Sequence, residues 1–83
     1  MTASPVRIAL VHIQQLRDGS WIGNAAWAGR TLTDGGADAD VVVRRLAVRL
    51  VALPGAGRPD RVKLVRIVQG QREEEEHDPD SLV

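Results

Sequence analysis

The chain has 83 residues, no cysteine and a formal net charge of zero. That length makes one small domain, and a domain this small buries only about 60% of its unfolded surface. The lack of cysteine excludes disulfides, thiolate catalysis and cysteine-based zinc sites, and no stretch approaches the roughly 20 apolar residues of a membrane span.

The zero charge hides a split. All eleven basic residues lie in 1–72 beside five acids (Asp18, Asp34, Asp38, Asp40, Asp60), which leaves that segment at +6. The six acids of 73–83 (Glu73, Glu74, Glu75, Glu76, Asp78, Asp80) make the end −6. This predicts one small α+β domain over 1–72, followed by a disordered acidic tail over 73–83 that has almost nothing apolar to bury. The only aromatics are two Trp, so the core is Val, Leu, Ile and Ala. Such a thin core predicts that a second chain helps complete it, hence a homodimer. The N-terminal Met-Thr-Ala-Ser-Pro lacks the pattern of a signal peptide, which predicts a cytoplasmic protein with no membrane partner.

Val6 to Leu16 is rich in β-branched residues. Ile8 and Leu10 face one way, Ala9, Val11 and Ile13 the other, and both sets are apolar, as in a strand covered on both sides. Asp18-Gly19 predicts a hairpin, and Ser20 to Trp27 the returning strand. Trp21, Gly23, Ala25 and Trp27 share one face by period two, a surface for something to pack on closely. Ala28-Gly29 permits a bend, and Arg30 to Thr33 a short third strand. Val41 to Leu53 reads as a helix with Arg44, Arg45 and Arg49 on one side and Val42, Val43, Leu46, Ala47, Leu50 and Leu53 on the other. Asp38 or Asp40 is its N-cap, and Pro54-Gly55 its stop. Three consecutive Val keep a mostly β alternative open. Arg61 to Gln69 is a strand under either reading, ended by Gly70. The predicted order is β-β-β-α-β, one helix on an antiparallel sheet.

Catalytic constellations are missing. His12 sits mid-strand and His77 in the acidic segment; neither has an enzyme setting. Gly55-Ala56-Gly57 precedes Arg58-Pro59 and not a helix with Lys-Ser, so it is an ordinary loop. An EF-hand loop from Asp34 would need an acid where Arg45 stands. The chain reads as no enzyme, with no metal and no cofactor. Basic residues carry more: Arg44, Arg45 and Arg49 on the helix, with Arg61, Lys63 and Arg66 on the last strand, are candidates for meeting phosphates. Trp21, Trp27 and Glu73 to Glu76 are candidates for meeting a protein.

The stretch from the first hairpin to the start of the helix resembles a known family. Asp18-Gly19, then Trp21, then Gly29, then Thr33-x-Gly35 before the helix are similar to the signature of HicB-type antitoxins, over roughly Val6 to Gln69. The family's Leu-Pro-Gly turn is replaced here by Trp27-Ala28-Gly29. The resemblance implies a β-β-β-α-β partner domain that binds and masks a small basic ribonuclease toxin, with no catalytic group of its own. The family's C-terminal DNA-binding module is replaced here by the acidic run, which can supply charge toward a basic partner. Three readings stand: a non-catalytic protein-binding module of HicB type, a small nucleic-acid-binding regulator using the arginine stripe, and a phage or assembly structural subunit.

Overall fold

A computed structural model describes residues 5–83. Five strands and two helices occur in the order β1 (Ile8–Gln15), β2 (Trp21–Trp27), β3 (Arg30–Gly36), α1 (Ala39–Val51), β4 (Arg61–Val68), β5 (Gln71–His77) and α2 (Pro79–Leu82). The strands form one sheet ordered β3-β2-β1-β4-β5, with α1 packed on one side. The protein is an α+β domain.

Local chemistry explains the connections. In the first hairpin Gly19 takes φ +88°, and the Asp18 carboxylate accepts a hydrogen bond from Ser20 N at 2.9 Å. The Ser20 hydroxyl also donates to it, which holds the Asp18 carboxyl below its usual pKa. Ala28-Gly29 and Gln69-Gly70 both have two successive positive φ angles, the backbone of the two-residue turn that suits strand twist. Asp38 caps α1, accepting from Asp40 N at 2.9 Å and Val41 N at 3.4 Å. The helix thus begins two residues before the predicted Val41 and ends at Val51.

The core lies between α1 and one face of the sheet. Ala9, Val11 and Ile13 of β1, Ala25 of β2, Val62 and Leu64 of β4 and Val42, Leu46, Ala47 and Leu50 of α1 are almost wholly buried. Gly23 lets the helix come close, since a Cβ there would lie 2.8 Å from Leu46 Cδ1. Trp27 is 8% exposed; its Nε1 donates to Gly57 O at 3.1 Å, and the Arg7 guanidinium stacks 4.7 Å from its ring centroid. Each buried Leu or Ile contributes about 1.5–3 kcal/mol.

Two expectations are corrected. The sheet is mixed, because β4 runs parallel to β1 from Ile8↔Arg61 to Gln14↔Ile67. The helical crossover returns the chain to the start of β1, where Arg7 N donates to the Asp60 carboxylate at 2.9 Å and Asp60 N to Arg7 O at 2.8 Å. The segment 73–83 is also not a disordered tail: Glu73 to His77 belong to β5, antiparallel to β4, and Pro79 to Leu82 form a helical turn. The basic residues of β4 supply the reason, since they neutralise the glutamates across the strand pair. Leu82 packs on the core, and Arg58 pairs with Asp80.

Candidate docking surface

Side-chain alternation sends half of each strand away from α1, and among the described residues no helix covers that side. Register aligns the rows: Thr31, Ala26, Leu10, Lys63 and Glu76 in one, Thr33, Asn24, His12, Val65 and Glu74 in the next, Gly35, Ile22, Gln14, Ile67 and Arg72 in a third. Ile8, Leu10 and Ile22 are 50%, 41% and 47% exposed here. A shallow hollow of about 410 Å³ lies elsewhere, on the helix side, but the hollow of this open face measures about 250 Å³ and is floored by Ala25, Ala26 and Thr31 beside Leu10, His12 and Asn24.

The face divides in two. Over β3, β2 and β1 its outward residues carry no fixed charge. Over β4 and β5, beside Val65 and Ile67, they are ions, three cations on two carboxylates: Lys63 Nζ to Glu74 at 2.7 Å, Arg61 Nε to Glu76 at 3.4 Å, and Arg72 Nη2 to Glu74 at 3.5 Å. The Lys63 ammonium, by donating to Glu74, holds that carboxyl below the usual glutamate range. Opposite charges on neighbouring strands are the pairing that stabilises a sheet.

The residues singled out from the sequence scatter. Trp27 is not available to a partner, because it is buried under the 56–57 loop and Arg7. Trp21 is half-buried on the helix side. What packs closely on the Trp-bearing face is α1 itself. Glu73, Glu74, Glu75 and Glu76 are exposed on the edge strand β5, but alternate in direction: Glu74 and Glu76 meet the cations of β4, while Glu75 on the helix side meets His77 Nε2 at 2.8 Å. Among the basic candidates, Arg45 pairs with Asp34 at 2.8 Å and donates to Gly35 O at 3.1 Å. Arg49 donates to Thr33 O at 2.8 Å. Arg61 and Lys63 sit in the ladder just described. Arg44 and Arg66 line the helix-side cleft with Asp40, Glu75, His77 and Ser81, and Arg66 Nε is buried there with no hydrogen-bond partner among the described residues.

Ile22 was not picked out by sequence reasoning. Its signal was available: it alternates with Trp21 and Gly23, so it must point to the side opposite the tryptophans. Among the described residues no cluster of His, Asp and Glu is arranged to hold a metal ion, and no helix is long and apolar enough to cross a membrane. Compared with family models, curated proteins and solved structures, the chain finds no match in any of the three.

Proposed function

We propose that the chain is a non-catalytic protein-binding module, of the kind represented by the partner domain of HicB-type antitoxins, and that it docks through the open face of its sheet. The observation that carries this reading is the exposure of Ile8 and Leu10 next to each other on β1, and of Ile22 beyond the His12–Asn24 row on β2, on a face that no other described element covers. Large apolar side chains exposed on one uncovered face mark an interaction site more often than single residues scattered over the whole surface do. The order β1-β2-β3-α1-β4 accords with the order the resemblance implies, and β5 with α2 extends it.

The mode of docking differs from an electrostatic one. Glu74 and Glu76, which would draw a basic partner, are engaged by Arg61, Lys63 and Arg72. The arginine stripe supports a nucleic-acid reading less well, since Arg45 and Arg49 are held by Asp34 and the β3 carbonyls.

Recovery of the tagged chain from its native host, expressed at native level beside an untagged copy of itself, tests this reading. The wild type is expected to retain a stoichiometric protein that Leu10→Asp and Ile22→Asp lose, with far-ultraviolet circular dichroism unchanged. Retention by both variants would remove the open face as the docking surface. Recovery of nucleic acid in place of protein would favour the arginines.

A further inference from the structure

We infer that the occupant of the open face is a second copy of this chain, in a two-fold, face-to-face pair; this rests on the reading of that face as a docking surface. Three features of the molecule lead there.

The first is that both edges of the sheet are hindered against strand addition. At the β3 edge, the Thr33 and Gly35 carbonyls accept from Arg49 and Arg45 of α1, so two of the acceptors an incoming strand would use are already engaged and the two arginines stand across its path. At the β5 edge, four consecutive glutamates stand on the strand. Charged side chains of this kind block edge pairing. The face remains as the route of association.

The second is charge. A basic partner would be drawn by an acidic surface, but here the neutral half carries no fixed charge, and in the other half the three cations Arg61, Lys63 and Arg72 share Glu74 and Glu76, which leaves one excess positive charge. Such a surface exerts little net repulsion on its own copy, and complementarity of potential is what selects partners.

The third is shape and size. Ile22 projects from the same face that bears the hollow over Ala26 and Thr31. A two-fold interface needs knob and hole on one patch, and a two-fold axis between them seats the Ile22 of each copy in the hollow of the other. With strands about 4.8 Å apart and about 3.3 Å per residue, this sheet presents roughly 550 Å² per copy. A pair then buries roughly 1,100 Å², just above the ~1,000 Å² expected of a biological interface. That area predicts association that depends on micromolar concentration, not an obligate dimer.

Sedimentation equilibrium of the full chain from about 1 to about 500 µM tests this. The mass is expected to rise from one chain to two. Leu10→Lys combined with Ile22→Lys should weaken self-association roughly a hundredfold, while Val48→Lys, on the exposed side of α1, should leave it unchanged. Circular dichroism and the melting temperature at the lowest concentration report folding of each variant. Ala26→Gln, which fills the hollow without adding charge, serves if the charged pair fails to fold. A single-chain mass throughout, or a pair that survives the face variants, overturns the inference. That outcome leaves the docking reading intact as long as Leu10→Asp still loses its protein in the host experiment, whereas retention of that protein sinks the docking reading whatever the mass.

Discussion

The two faces of the first half of β1 use nearly the same residue types for opposite ends. On β1 the covered face presents Ala9, Val11 and Ile13, and the open face Ile8 and Leu10. Composition does not distinguish them; the supply of helices does. One long helix exists, and it settles where Gly23, Ala25 and Ala9 leave room for Leu46 and Val42 to approach. Among the described residues no second helix reaches the opposite face. Apolar area on the first face stabilises the fold, and apolar area on the second is left for association.

Four measurements sharpen or break this contrast. The largest effect is expected from deleting 71–83, which removes β5 and α2. Each lost strand-to-strand hydrogen bond is worth about 1 kcal/mol net, so the chain should lose several kcal/mol and melt well below the intact protein. A melting temperature within a few degrees of the full chain would return 73–83 to the role of a solvated tail. Next, Leu46→Ala on the covered side should cost about 2–5 kcal/mol in denaturant titration, because Leu46 is fully buried. By contrast Leu10→Ala, measured at a concentration where the chain is single, should stay within about 0.5 kcal/mol of wild type. A cost near that of Leu46→Ala would mean the open face is already covered within one chain. The smallest effect concerns the ionic half of the open face. The Glu74 carboxyl is held below the usual glutamate value of 4.5 by Lys63. A lowered folded value stabilises the fold fully above 4.5, and that stabilisation is lost as pH falls through the lowered value. Lys63→Met should therefore differ slightly from wild type in stability at neutral pH, and the difference should vanish in acid. An equal difference at both ends would detach it from this pair.

Much of the fold was legible along the chain. Asp18-Gly19 marked the first turn, the opposition of Arg45 to Leu46 and Leu50 marked α1, and Asp38 was among its named caps. Two things were not. The parallel pairing of β1 with β4 depends on where the crossover lands, which no local pattern encodes. The strand nature of Glu73 to His77 was hidden because glutamate disfavours strands by itself. It becomes favourable only opposite Arg61 and Lys63, and that match is visible only when β4 and β5 are written antiparallel about Gln69-Gly70. Of the candidate surface, Ile8 and Leu10 were read as facing opposite to Ala9, Val11 and Ile13, and they do. Their covering was read wrongly, because two apolar faces on a strand look alike whether the cover comes from the same chain or from another.

The bond between Arg7 and Asp60 spans 53 residues, and it sets the order of events during synthesis. The β1-β2-β3 meander is complete early, and its pairs are close in sequence. At that stage β1, the middle strand of the finished sheet, is an outer one with its whole backbone edge free. It gains its second neighbour only when β4 has left the ribosome, so the closing contacts are the late, long-range kind that slow folding. A nascent or truncated chain ending before Arg61 keeps that edge bare, with Ile8 and Leu10 on one side of it and Val11 and Ile13 on the other. Such a fragment is a template for aggregation.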